Sequence, residues 1–301
     1  MQLIITVFTP TYNRAYTLGR CYESLKRQTN QNFVWLIVDD GSTDNTKELA
    51  ESWQKENKIA IKYHSQENGG KHIAHNTGVK LTETELFVCV DSDDYLTDDA
   101  IELCTRHWQE VNAANLAGIV ALKGYSNDKQ TGTLMPSGVT QSTIYDLYNS
   151  HGFTGDAMLV FKTKVLKKHL FPVIAGEKFF PEAYIYDRID QEYQMSLLDK
   201  VLYICEYLED GYSSNYQRVF KNNPKAYAAY HAQRLNLASH LRVRYKSAIL
   251  YSVASMLSGN KRFISEAPRK VLTVLSLPLA LVVLFLRYGI KKEKSSRTTN
   301  K

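Results

Sequence analysis

The chain has 301 residues, 44% of them apolar and 23% charged, enough to bury one large or two small cores; a collagen, a disordered tail protein and a multi-span channel are excluded. The net charge of +6 is concentrated towards the C-terminus, which points to an acidic partner at one end of the molecule and not to a body coated for nucleic acid. Cys21, Cys89, Cys104 and Cys205 stand far apart with no CxxC, the usage of reduced, mostly buried thiols.

The apolar run Leu3–Phe8, closed by Pro10, is far shorter than a signal-peptide core with its flanks and is read as a first buried strand. The loop TPTYNR follows, and Leu18, Tyr22 and Leu25 then mark one face of a helix that fades near Gln28. Phe33–Val38 is a second strand, closed by the turn DDGSTD, and a helix over Asn45–Glu56 follows with Asp44 as its N-cap. Ile59–Tyr63 is a third strand, and QENGGK leads into a helix over Ile73–Leu81. Leu86–Val90 is a fourth strand ending on DSDD, a helix covers Asp99–Val111, and Gly118–Tyr125 is a fifth strand. Short apolar runs alternating with helices are βαβ units, so an α/β fold is expected, with a mostly parallel sheet and helices on both faces. Such sheets bind ligands outside the carboxyl ends of their strands. The polar loops Thr9–Arg14, Asp39–Asp44, Asn68–Lys71 and Asp91–Asp94 all fall on that rim.

From Ser126 to Ser150 the pattern is irregular, an insertion or small hairpin. Met158–Lys162 and Val201–Tyr207 are strand-like, Ala183–Gln194 between them is helical, and Pro224–Met256 is helical and tyrosine-rich. Val271–Leu286 carries no charge, and Lys261, Arg262, Arg269 and Lys270 precede it while Arg287, Lys291, Lys292 and Lys294 follow. As a helix it spans about 24 Å against roughly 30 Å of bilayer core. An interfacial helix, or a re-entrant hairpin bent at Pro278, suits the basic flanks better than a crossing; a soluble core or oligomer helix is the competing reading.

DSDD is the sharpest chemical signal. In extended chain Asp91 and Asp93 point the same way, and two such carboxylates suit Mg2+ or Mn2+, which take oxygen ligands shared with phosphates. In DDGSTD, Gly41 permits the tight turn, and the Asp and Ser oxygens serve a base, a ribose or a helix cap. The eight histidines show no HExxH spacing, so zinc is not expected. Tyr203, Tyr207, Tyr212, Tyr216, Tyr227 and Tyr230 are either core residues or stacking surfaces for a sugar.

Taken in order, TPTYNR, VDDGSTD, NGGKHIAHNTG and DSDD resemble the nucleotide-sugar-binding half of the family 2 glycosyltransferases, which have the GT-A fold. The likeness is strong from Gln2 to Ala113 and weaker to about Tyr216. It implies that Thr9, Pro10, Tyr12 and Arg14 line the nucleotide pocket, that Asp39 or Asp40 holds the base, and that Lys71 and the Asn76 region lie near base and diphosphate. His75 stands where the family commonly has arginine. Asp93 would ligate the Mg2+ or Mn2+ ion; Asp91 would serve the ribose side and the metal, Ser92 would sit against the nucleotide sugar, and Asp94 would ligate or orient. The acceptor's base is expected from a Glu-Asp pair downstream, where this chain has Glu182 followed by Ala183; Glu177, Asp156 and Asp187 are the other carboxylates at hand.

The resemblance further implies a GT-A domain over 1–220 with a donor half 1–113 and an acceptor half 114–220. A helical extension 221–260 and a membrane-associating tail 261–301 would follow. The expected activity is inverting transfer from a nucleotide-diphosphate sugar, UDP-linked, to a glycan acceptor carried on a lipid. It would take place at the cytoplasmic face of the cell membrane, in cell-surface polysaccharide assembly and without nucleic acid. A polyprenyl-phosphate glycosyltransferase and a non-catalytic nucleotide-sugar-binding subunit remain as alternatives.

Overall fold

The computed structural model describes residues 4–111, 113–206 and 215–289. Tyr207, Tyr212, Lys291, Lys292 and Lys294 lie outside the described residues. The chain forms two compact units, Met1–Ser214 and Asn215–Lys301.

In the first unit, β1 (Ile5–Thr11) and β2 (Phe33–Asp39) are buried at every position. Uninterrupted apolar strands of this kind need both faces covered. On one face, α1 (Ala15–Lys26) and α2 (Thr46–Glu56) bring Tyr22 onto Trp53 at 4.4 Å between ring centroids, with Trp35 of β2 at 5.6 Å from Trp53. On the other face, α3 (Lys71–Leu81) lies over Phe8, which stacks on Phe87 at 5.2 Å. The approach is so close that a Cβ on Gly78 would stand 2.4 Å from the Phe8 ring.

The remaining strands are β3 (Ile61–Ser65), β4 (Leu86–Cys89), β5 (Tyr95–Leu96), β6 (Leu116–Ser126), β7 (Lys129–Gln130), β8 (Gln141–Ser142), β9 (Ala157–Lys162) and β10 (Gln194–Ile204). The sheet order is β3-β2-β1-β4-β9-β6-β10-β5, with β7 pairing β6 and β8 pairing β10. The first four strands are parallel, as βαβ units dictate. Beyond them the sheet is mixed: β9 enters antiparallel to both β4 and β6, and β10 runs parallel to β6. The expected strand Val201–Tyr207 is only the end of β10, which begins at Gln194; the polar Asp199–Lys200 step that hides its first half is a bulge between Leu198 and Val201. The irregular segment contains α5 (Ile144–Asn149), and Asp190, just past α7 (Ala183–Ile189), accepts from Ile144 N–H at 3.0 Å and Tyr145 N–H at 2.7 Å. One carboxylate thereby satisfies two of the helix's otherwise orphaned donors. The helices α4 (Ala100–Val111) and α6 (Thr163–Leu166) complete the unit.

The second unit is helical: α8 (Tyr216–Asn222), α9 (Pro224–Leu237), α10 (Leu241–Leu257), α11 (Phe263–Glu266) and α12 (Lys270–Tyr288). Helix α12 runs unbroken through Pro278, so the hairpin bend is not formed. Its arrangement is inverted relative to a soluble helix. Thr273, Ser276 and Ala280 are buried, while Val271, Phe285 and Leu286 are 75%, 77% and 75% exposed. Tyr227 and Tyr230 are buried here, and Tyr203 is buried in the first unit, so these three serve the core and not as open stacking surfaces.

Candidate active site

Helical and strand periodicity meet at the centre of the rim. Lys71 and His75 occupy one face of α3, four residues apart, while Phe87, Cys89 and Asp91 alternate along β4 and its extension. The upper pair is His75 edge-on to Phe87 at 5.4 Å, and the lower pair is Lys71 Nζ to Asp91 Oδ1 at 2.8 Å. The same ammonium reaches Glu182 Oε1 at 2.8 Å, where the chain enters α7. Burial works against the Lys71 ammonium, but Asp91 and Glu182 together hold its pKa well above the usual value. Conversely Lys71 holds the Glu182 carboxyl below the ordinary carboxylate range. Burial would raise Asp91, and Lys71 with Lys123 outweighs it, keeping Asp91 low. His75 is pushed down to about 4 by burial and is neutral, boxed edge-on by Phe8, Phe87 and Phe171. A neutral aromatic-boxed ring here is a packing residue.

The DSDD segment is a turn, closed by Asp94 N–H to Asp91 C=O at 3.1 Å, so the strand alternation expected of Asp91 and Asp93 does not apply. The turn still brings them together: burial and the adjacent Asp91 charge raise the Asp93 pKa, with Arg14 acting in the opposite sense. Asp94 is buried and works structurally, accepting from Tyr203 O–H at 2.7 Å and Glu206 N–H at 3.1 Å. Burial and Asp91 push it up to about 7. Arg20 of α1 donates to the Asp93 carbonyl at 3.3 Å and pairs with Glu206 at 2.6 Å, fastening the turn from outside.

The other loops are stapled to one another. Asp40 accepts from Gln66 Nε2 at 2.7 Å, Gly69 N–H at 3.0 Å and Gly70 N–H at 2.7 Å. Asp39 accepts from Ser42 N–H at 2.8 Å and Tyr63 O–H at 2.7 Å. Asn13, at φ 52°, accepts from Thr43 N–H at 2.8 Å. Asp44 takes Ala15 N–H and Thr46 N–H, each at 3.1 Å, capping the first turns of both α1 and α2. Gly70 has φ 94°, and a Cβ there would lie 1.9 Å from Lys178 C=O, so only glycine lets the segment carrying Glu177 and Glu182 close against α3.

Of the residues singled out from sequence, Lys71, Asp91 and Glu182 form one contiguous group, and Arg14 and Asp93 stand within electrostatic reach of each other. Tyr12 is 49% exposed at the rim, whereas Pro10 and Ser92 are buried. Thr9 is fully buried, its hydroxyl accepting from Trp35 Nε1 at 2.9 Å beneath the rim. Asn76 spends its amide on Phe171, donating to the carbonyl at 2.8 Å and accepting from the N–H at 2.9 Å. Glu177 is buried, Asp156 is exposed beside Thr131, and Asp187 is buried on α7. Sequence reasoning placed Tyr203 as a core or stacking ring without its hold on the DSDD turn, and it missed Lys123. Lys123 carries the single charge of β6, a signal that was legible.

Among the described residues no group of three or more His, Cys, Asp or Glu side chains forms a metal cage. The pair Asp91–Asp93 nonetheless fits Mg2+ or Mn2+. Both carboxylates stand on one turn, and burial together with the Asp91 charge opposes ionisation of Asp93, a strain that a hard dication relieves; its remaining ligands would come from phosphate and water.

A sheet of this order, with acidic turns gathered at the ends of its parallel strands, is the GT-A glycosyltransferase architecture. Residues 1–349 of S. aureus TarS superpose with a TM-score of 0.61 at 19% identity, over 92% of this chain and 80% of that one, and that protein has also been solved with UDP-GlcNAc. Mannosyltransferase PcManGT from Pyrobaculum calidifontis, solved with GDP-Man and Mn2+, gives 0.58 at 17% identity over 94% of this chain and 81% of that one. Residues 6–170 match the Glycosyl transferase family 2 profile, and the chain belongs to that family. Glycosyltransferase GlyG of Streptococcus pneumoniae is 30% identical over 196 residues, which cover 61% of this chain and 64% of GlyG. Escherichia coli chondroitin synthase is 37% identical over 107 residues, 36% of this chain and 16% of that protein. The chain thus spans less than two thirds of either relative.

Proposed function

We propose that this glycosyltransferase moves a sugar from a UDP-linked donor to a hydroxyl of a lipid-carried glycan, with inversion, in cell-surface polysaccharide assembly. The observation that carries the reading is the Lys71 ammonium shared at 2.8 Å by Asp91 and Glu182, which fixes a donor-side acid and a base-side acid on either side of one cation. Glu182, half-exposed and kept ionised, removes the acceptor proton as the acceptor oxygen bonds to the anomeric carbon; the bond to the diphosphate breaks on the opposite face. Lys71 holds Glu182 and Asp91 in register, and Tyr12 and Arg14 border the nucleotide. The base is assigned to the turn built on Asp39, and Asp40, Asn76 and Thr9 act through the loops they anchor. Asp91 and Asp93 would hold Mg2+ or Mn2+, which supplies charge neutralisation to the leaving diphosphate.

A panel of nucleotide sugars with Mg2+ or Mn2+ tests this reading by nucleoside diphosphate release. Acceptor-dependent release from a UDP-sugar is expected; no release from any donor would overturn it.

The acceptor's lipid is supported by α12. With small residues inward and bulky apolar residues outward, it follows the packing rule of helices in lipid, and Arg269, Lys270 and Arg287 at its ends match anionic headgroups. The intact chain is expected to float with phosphatidylglycerol vesicles, and a chain lacking residues from Val271 onward to remain at the bottom of the gradient. An intact chain that stays with the soluble fraction would end the membrane reading.

A further inference from the structure

Strand β6 is apolar and buried from Leu116 to Leu122, and its first charged side chain, Lys123, appears as it reaches the rim. There it pairs in register with Tyr203 of β10, and its Nζ lies 3.8 Å from the centroid of the Tyr203 ring. The Tyr203 hydroxyl accepts from Asp91 N–H at 3.0 Å and donates to Asp94 Oδ2 at 2.7 Å. The ring that seats Lys123 is therefore the ring that fastens the DSDD turn.

Lys123 differs from Lys71 in one respect that matters. Lys71 makes two ion pairs, whereas among the described residues no carboxylate pairs directly with Lys123. Its charge still reaches the centre, acting against burial at Asp91 and Asp94 and in the same sense as Lys71 at Glu182. A half-buried ammonium resting on an aromatic face recovers only part of its lost hydration from it. Lys71 is held at 2.8 Å by both Asp91 and Glu182, whereas Lys123 is, among the described residues, in close contact only with the Tyr203 ring, so Lys123 is the ammonium of this rim whose N–H donors are open to an incoming anion.

We propose that Lys123, seated on Tyr203, is an anion-binding residue for the donor. This rests on the donor reading above. The chemistry it selects is an anionic oxygen close to the DSDD turn, which either the diphosphate or a carboxylate on the transferred sugar supplies.

Calorimetric titration of the full chain with UMP, UDP, UDP-glucose and UDP-glucuronate, each with Mg2+, separates the sources. If the diphosphate is the partner, Lys123→Met weakens UDP about 10–100-fold and leaves UMP unchanged. If the sugar carboxylate is the partner, UDP and UDP-glucose hold and UDP-glucuronate alone weakens by that factor. Either result supports the inference, and Lys123→Arg, which keeps charge and ring contact, is expected to retain most of the affinity. Lys123→Gln replaces the Met variant if that one melts early. Unchanged binding of all four ligands, or an equal loss of UMP and UDP that Arg does not rescue, overturns the role of Lys123 while leaving the donor reading intact. Wild-type chain that binds none of the four overturns both.

Discussion

Glu182→Gln is expected to lower turnover by about 10²–10⁴-fold while leaving nucleotide affinity and thermal stability near wild type. Glutamine has the shape of glutamate but cannot take up a proton, so the variant removes the chemistry and keeps the packing. Lys71 loses one of its two acidic partners and keeps Asp91 at 2.8 Å. The side chain is half-exposed, so little buried structure depends on it. Nucleoside diphosphate release under saturating donor and acceptor is the measurement, with a melting curve as control. A rate within threefold of wild type would remove Glu182 as the base. The pH profile supplies a second check. A base must be ionised to act, and Lys71 holds the Glu182 pKa below the ordinary carboxylate range. The acid limb therefore falls below that range, and activity is lost only as pH drops through the lowered value.

The donor half was legible because each βαβ unit announces itself: a short apolar run, a polar loop, a helical face. Four loops on one rim follow from parallel strands alone. What those loops do with their side chains was less legible. Thr9 and Asp40 occupy motif positions, yet one is consumed by Trp35 and the other by three donors of the Gln66–Gly70 loop. Periodicity cannot distinguish a carboxylate that meets a ligand from one that holds the loop meeting it. The acceptor half resisted for a different reason. Strand β9 is brought antiparallel between β4 and β6 by long-range pairing, and no local pattern encodes that neighbour. The bulge in β10 interrupts alternation with Asp199 and Lys200, so half of an eleven-residue strand reads as loop. Tyr203 belongs to this half: its sequence position marks it as a core or stacking ring, but only the long-range pairing of β10 with β6 and β5 brings its hydroxyl to Asp91 N–H and Asp94.

Asp93→Asn carries the second large effect, and its value lies in contrast with its neighbours. Asp94 is tied to Tyr203 and to Glu206 N–H, and Asp91 is tied to Lys71, so replacing either disturbs the turn as well as any bound cation. Asp93 is strained by its surroundings instead: burial and the nearby Asp91 both oppose its ionisation. Neutralising it removes a like-charge repulsion, so the folded state should be as stable as wild type or slightly more so. Metal-stimulated donor turnover, by contrast, is expected to fall on the order of 10²-fold or more, because a carboxylate ligand contributes several kcal/mol to holding and using the cation. A stability penalty is therefore not an available explanation for the lost rate. The decisive measurement is diphosphate release across a Mg2+ or Mn2+ titration. A variant that regains full activity at high metal places Asp93 in cation affinity, one that stays inactive at saturation places it in the chemical step, and one that matches wild type at every concentration removes it from the cation site.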